Sequence, residues 1–463
     1  LPKIYAGAIF CATFAIMAST IIKQAQVVNE GKTVVQDVLI KNQRIEKIAS
    51  SVDVPYAVQE IDGGGKILMP GVIDDQVHFR EPGLTHKANI NTESTAAVAG
   101  GTTTFMEMPN TVPNALTFEL LEDKYAIAAA TSPANYSFFM GVGNDNADEA
   151  LKINARKQDV CGLKIFMGSS TGNMLVDNYL TLNRIFSNSE VLIATHCERE
   201  EIVKANQALA INTYGENMEA HMHPIIRNVE ACYESSYSAV QLANQTGARL
   251  HVLHITTAKE LQLFGNMMPL AEKRITSEVC VHHLHFTADD YAALGNQIKC
   301  NPAIKSGDNK AALWQGLLDN RLDIIATDHA PHTWEEKQAP YLQAPAGVPL
   351  VQHSLQLMFD YVKAGKLSVE KLVEKMCHAP AICFQVAERG YIREGYFADV
   401  VLVDTEKAYT VTKQNLLHKC AWSPFEGHTF GASIAATFVN GEMMWNGTEV
   451  RQDIRGMRLK FDR

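Results

Sequence analysis

From Thr20 onward the chain alternates apolar and polar positions in short β-rich runs, Ile21 to Val28, Thr33 to Ile40 and Arg44 to Ile48. Asn29-Glu30-Gly31-Lys32 and Asn42 separate them, and turn residues between period-two runs predict hairpin-connected strands. The same texture returns at the far end in Ala398 to Val403, Ala408 to Val411 and Ala435 to Trp445, punctuated by Asn440-Gly441 and Asn446-Gly447. Both ends read as β structure, and the pattern alone leaves open whether they pair. Between them, residues 70 to 389 alternate short apolar runs with stretches of helical period such as Phe118 to Ala130 and Val229 to Thr246, the signature of βαβ units. Eight runs read as strands: Gly71 to Phe79, Thr102 to Met108, Asn135 to Met140, Gly162 to Met167, Val191 to His196, Arg249 to Ile255, Ile275 to Val281 and Leu322 to Thr327. Eight strands close a (β/α)8 barrel of the TIM type; an open doubly wound sheet would bring a glycine-rich phosphate loop, and none is present.

Composition narrows the partners. Lys and Arg number 41 against 51 Asp and Glu, a net charge of −10 that argues against a nucleic-acid partner. Nine cysteines are scattered without paired spacing, which reads as thiols in a reducing compartment. Residues 1–18 hold Lys3 and then an apolar run, Ile4 to Ala18, too short for a comfortable membrane span; they read as a leader or a non-native extension. No other stretch approaches transmembrane length.

The polar residues fall at strand ends. The first strand runs through Asp74-Asp75-Gln76-Val77-His78-Phe79-Arg80, the second into Pro109-Asn110, the fourth carries Lys164, and the fifth, sixth and eighth end in His196, His254 and Asp328. In a (β/α)8 barrel those ends form the active-site face, so residues far apart in sequence converge there. Three histidines, an aspartate and a strand lysine in one mouth suggest a divalent metal, since imidazole and carboxylate suit borderline cations such as Zn²⁺.

The run Met69-Pro70-Gly71-Val72-Ile73-Asp74, then His78-Phe79-Arg80-Glu81-Pro82-Gly83, Met108-Pro109-Asn110-Thr111 and Thr327-Asp328-His329-Ala330-Pro331-His332 resembles the dihydroorotases of the cyclic amidohydrolase superfamily. The resemblance extends from about Ser19 to the end. It implies a metal-dependent α/β barrel over residues 70–389 with a small β-sandwich domain built from both termini, 19–69 plus 390–463. It implies that His78, His196, His254 and Asp328 are metal ligands and that Lys164 is an N6-carboxylysine bridging two Zn²⁺ ions. Asp328 becomes the catalytic base that passes a proton between water and the ring nitrogen. Arg80, Asn110 and His332 hold a substrate carboxylate, Asn301 contacts the ring, and Ala346 and Gly347 contribute backbone contacts. The implied reaction is the reversible closure of N-carbamoyl-aspartate to dihydroorotate in pyrimidine biosynthesis, in the cytoplasm, by a homodimer with no membrane partner; some relatives contact aspartate transcarbamoylase.

One residue departs from that pattern. Gln76 stands where the family has the first histidine of a His-x-His, and a neutral amide oxygen suits Zn²⁺ less well than imidazole. This leaves three readings open: a weakened second metal, a single metal, or a silent scaffold subunit. A cyclic amidohydrolase for another ring, such as allantoin, hydantoin or dihydropyrimidine, is a further alternative, which Arg80 disfavours because those substrates lack the carboxylate. His221-Met222-His223-Pro224 reads as a surface loop; His282-His283-Leu284-His285 matches a family segment usually read as structural support and is left unassigned, and Trp422 to Gly427, which also resembles the family, reads as packing between the β domain and the barrel.

Overall fold

The computed structural model describes residues 19–56, 58–168 and 174–463; the leader expectation for residues 1–18 lies outside them. The chain enters through Thr20–Asn29, which pairs antiparallel with Lys32–Lys41, itself paired with Arg44–Ala49. Ile67–Pro70 lies parallel to the first of these and, on its other edge, receives Val400–Asp404 from the opposite end of the chain. Ser433–Val439 and Glu442–Trp445 extend the order and Gln59–Asp62 pairs parallel with Thr20–Asn29, so the two ends make one eight-stranded mixed sheet. Ile22, Val38 and Ile45 share a buried cluster with Val400, Leu402 and Phe438. Burying both sets of apolar side chains together gives the two halves of the sheet a common core.

The chain then passes straight into the barrel, with the Gly71 N–H donating to Asp399 O at 2.8 Å. The barrel strands are Val72–Val77, Thr102–Glu107, Asn135–Phe138, Leu163–Phe166, Ile193–His196, Leu250–Val252, Ile275–Cys280 and Ile324–Ala326, each on one of the eight runs read from sequence. The third breaks at Phe139 and resumes as Met140–Gly141, which pairs with the fourth. Parallel pairing runs in sequence order around the ring. It closes where Val77 bridges His329 and the His78 N–H donates to His329 O at 2.7 Å. Below that seam the Thr327 hydroxyl donates to Asp74 Oδ2 at 2.6 Å.

Ile73, Met106, Ala194, Leu253 and Ile324 fill the barrel interior and share a cluster with Phe384, Leu459 and Phe461. The last residues of the chain thus return to the barrel, where the Tyr136 N–H donates to Met457 O and the Leu459 N–H to Tyr136 O, each at 3.0 Å. A buried polar node ties the terminal sheet to the barrel: Asp399 accepts from Arg389, from Asn135 Nδ2 at 3.1 Å and from the Asn440 N–H at 2.7 Å. Every group there is paired, as burial requires. No helix among the described residues is long and apolar enough to cross a membrane.

Because Phe461 is 2% exposed inside the barrel cluster, Phe461→Ala is expected to lower unfolding stability by about 3 kcal/mol, read as a shift in denaturant midpoint. A loss below about 1 kcal/mol would show that the tail does not complete the core.

Candidate active site

The structure brings Gln76, His78, Arg80, Asn110, Lys164, His196, His254, Asn301, Asp328, His332, Ala346 and Gly347 together around one cavity of about 290 Å³. Three of them hold backbone conformations that the sequence did not reveal. Arg80, His254 and Asp328 have φ of +70°, +40° and +48°, each just past the end of its strand. Left-handed backbone at non-glycine residues costs about 1–3 kcal/mol apiece and persists where surrounding structure imposes it.

Two pairs of donor atoms face each other. His196 Nδ1 lies 2.9 Å from His254 Nε2, with the rings nearly perpendicular at 81°. His78 Nε2 lies 3.1 Å from Asp328 Oδ1. On its far side His78 Nδ1 meets Asn110 Oδ1 at 2.8 Å. Burial drives all three histidines below the usual imidazole value, so they are neutral. Burial opposes ionisation of Asp328, yet its hydrogen bond with His78 holds its carboxyl below the usual range. Burial brings Lys164 down to about 7. The donor set therefore fits a divalent cation: neutral imidazoles whose nitrogens converge at 2.9 Å, and an ionised carboxylate beside a third. Gln76 is oriented differently. Its Nε2 donates to Asp328 Oδ1 at 3.2 Å, and its Oε1 lies 3.8 Å from Cys280 Sγ.

The opposite wall suits an anion. Arg80, 5% exposed, donates from Nε to Pro331 O at 3.0 Å, and its Nη2 lies 3.0 Å from His332 Nε2. Burial lowers it only to about 10, so the guanidinium stays charged. His332 is in turn 3.0 Å from Ala346 O and from the Lys87 ammonium, which pairs with Glu336 at 2.9 Å.

The sequence reading missed several neighbours. Arg227 and Phe166 also line the cavity, and Arg227 pairs with the fully buried Glu198. Desolvation would raise Glu198, but the Arg227 charge and the hydrogen bond to His196 hold it at about 2. Its Oε2 lies 3.2 Å from His196 Nε2, so one carboxylate orients both a guanidinium and a donor histidine. The surface-loop expectation holds for His221 but not for His223, which is buried. His223 Nε2 reaches Cys300 O at 2.9 Å and Asn301 Oδ1 at 3.1 Å, and its Nδ1 meets the Tyr341 hydroxyl at 2.9 Å. Engaging the Asn301 oxygen leaves that residue's amide N–H groups for the cavity. Trp422 packs against the barrel as expected, donating from Nε1 to His332 O at 2.8 Å.

Two other buried donor clusters flank the site. His251 Nε2 lies 3.2 Å from Glu278 Oε2 and 3.4 Å from Asp75 Oδ2. Burial opposes its charge, but the two carboxylates push it up to about 9. Glu278 also accepts the His254 N–H at 3.1 Å, which couples this cluster to the strained donor above it. Cys280, His282 and His283 form the second group, fully buried at the end of the seventh strand.

Comparison with known proteins agrees with this architecture. The model of the amidohydrolase family matches residues 67–444. A dihydroorotase of Halobacterium salinarum is 32% identical over 418 residues, 90% of this chain and 94% of that protein. One from Listeria innocua is 32% identical over 433 residues, 93% of this chain and 99% of that protein. Among solved structures, the L-hydantoinase (dihydropyrimidinase) of Arthrobacter aurescens superposes with a TM-score of 0.89 at 26% identity, covering 96% of this chain and all of that one.

The shared carboxylate yields a test. Glu198→Gln is expected to weaken divalent-cation affinity by about 10–100-fold, measured by competition with a chelating dye. Affinity within twofold of the wild type would mean that His196 needs no such support.

Proposed function

The chain belongs to the amidohydrolase family, hydrolases acting on cyclic amide C–N bonds, and on that premise we propose that it is a dihydroorotase. In this reading it closes N-carbamoyl-L-aspartate reversibly to L-dihydroorotate, in the cytoplasm, as a step of pyrimidine synthesis. Eight free thiols and no disulfide among the described cysteines accord with a reducing compartment.

The observation that carries the substrate is Arg80. A buried guanidinium that stays charged, on the cavity wall beside Asn110 and His332, suits a carboxylate. Dihydroorotate has one on its ring; hydantoin, dihydropyrimidine and allantoin do not. The structural likeness to a hydantoinase supports the second reading, a hydrolase for one of those rings.

His196, His254 and Lys164 would hold the cation, with His78 and Asp328 offering a second, weaker position because Gln76 donates to Asp328 instead of adding a ligand. The desolvated Lys164 amine suits carboxylation by CO₂, which would replace an ammonium with an anionic, two-oxygen donor. When bound, Zn²⁺ supplies a water of lowered pKa and polarises the scissile carbonyl. Asp328 then takes a proton in ring opening and returns it to the ring nitrogen; closure runs the same transfer in reverse. Arg80 fixes the carboxylate at the far wall, Asn301 donates to a ring carbonyl, and the Ala346-Gly347 backbone meets the ring edge.

Metal-loaded enzyme is expected to change the ultraviolet absorbance of dihydroorotate. Arg80→Met should raise KM by about 100-fold, the equivalent of losing one charged hydrogen-bonded contact, and Asp328→Ala should abolish turnover. Hydrolysis of hydantoin or allantoin without dihydroorotate turnover would favour the second reading. A metal-free, inactive wild type that gains activity in neither assay would favour the scaffold.

A further inference from the structure

Lys337 differs from the buried lysines that face a carboxylate. Lys124 pairs with Glu107 at 2.7 Å, and Lys375 has Glu374 at 3.5 Å. Lys337 is 1% exposed and has no carboxylate within ion-pair distance among the described residues. Its ammonium instead donates to three backbone carbonyls, Lys299 O at 3.2 Å, Pro345 O at 3.0 Å and Gly347 O at 2.9 Å. That matches the three N–H donors an ammonium owns.

The carbonyls belong to two segments that meet at the cavity. Lys299 stands two residues before Asn301, while Pro345 and Gly347 flank Ala346, and Asn301, Ala346 and Gly347 all line the cavity. The segments are cross-fastened further: the Gly347 N–H donates to Lys299 O at 2.8 Å. The Lys299 ammonium reaches Tyr341 O and Ala344 O, each at 2.5 Å. Gly347 holds φ +146°, and a Cβ there would lie 2.4 Å from Ala330 O, so the backbone approaches its neighbours too closely for any side chain. An uncompensated buried ammonium is a costly way to fill space that an apolar side chain could occupy, and burial with Lys299 and Arg80 nearby lowers Lys337 to about 7. What the ammonium adds is the directed link between the two segments.

We propose that Lys337 is a positioning residue for substrate, fastening Pro345-Ala346-Gly347 to the segment that carries Asn301 so that both present their polar groups to one cyclic ureide. The identity of that ligand rests on the dihydroorotase reading; the fastening itself does not. The test uses the full chain with Lys337→Met, which keeps length and apolar volume while removing the three donors. Hydrogen exchange without substrate is expected to quicken at least tenfold at the Ala346 and Gly347 amides, with the strand Ile324–Ala326 and metal content unchanged. With dihydroorotate, KM is expected to rise at least tenfold and kcat to fall less than threefold, with partial recovery in Lys337→Arg. Unchanged exchange, unchanged KM, or a loss confined to kcat overturns the proposal. If Lys337→Met does not accumulate folded, Lys337→Gln, which retains a single amide group as donor, carries the same measurements. Wild-type enzyme inactive on dihydroorotate would defeat the functional reading alone, because the exchange measurement still judges Lys337.

Discussion

Everything at the mouth depends on closure of the barrel between its first and eighth strands. Gln76 and His78 meet Asp328 across that seam, and Arg80 meets Pro331 and His332, all pairs about 250 residues apart in sequence. The Asp74–Thr327 hydrogen bonds and the His78–His329 backbone bond set the register, and a slip of one residue would turn these side chains away from one another. Closure also explains why strained backbone gathers here. Arg80 and Asp328 both have positive φ beside the seam, and the ring of parallel strands supplies the rigidity that strain requires.

Behind the seam sits a layer of carboxylate and imidazole that ties the donors to the rest of the barrel. Glu278 holds the His254 backbone and, with Asp75, flanks His251; Glu93 takes His329 Nε2 at 2.7 Å while His329 Nδ1 accepts the Leu350 and Val351 N–H groups. Glu198 joins His196 to Arg227. His196 and His254 are thus each held from behind by a buried carboxylate. Such support fixes ring orientation and tautomer, on which metal affinity depends.

Much of this was legible in the sequence because strand periodicity is local. The eight runs marked where strands end, and the polar residues at those ends marked which residues meet. What was not legible depends on contacts without local signal. His223 has the same polar surroundings in sequence as the exposed His221, yet its partners Tyr341 and Asn301 lie more than 75 residues away. Arg227 reads as one more surface arginine until Glu198 is seen beside it. The positive φ values of Arg80, His254 and Asp328 follow from tertiary constraint, since none is a residue type that prefers that region as glycine does. The pairing of the two chain ends likewise needed a partner strand that lies more than 300 residues away from Ile67–Pro70.

The overall charge of −10 and an anionic substrate are compatible once distance is considered. Exposed charges beyond about 8 Å are largely screened at physiological ionic strength, whereas groups inside a low-dielectric mouth act at nearly full strength. Of the cations there, Arg227 is neutralised by Glu198, and Lys164 belongs to the donor set. That leaves Arg80 as the positive wall. The asymmetry orients a ligand as well as attracting it: a carboxylate drawn to Arg80 places the opposite edge of its ring beside Asp328 and the facing histidines. Gln76 sharpens the same polarity, because an amide bonded to Asp328 leaves that carboxylate anchored on one oxygen and available on the other. On the proposed reading, a site with one cation and one anchored base would need its substrate in a single orientation, and the guanidinium at the far wall would impose it.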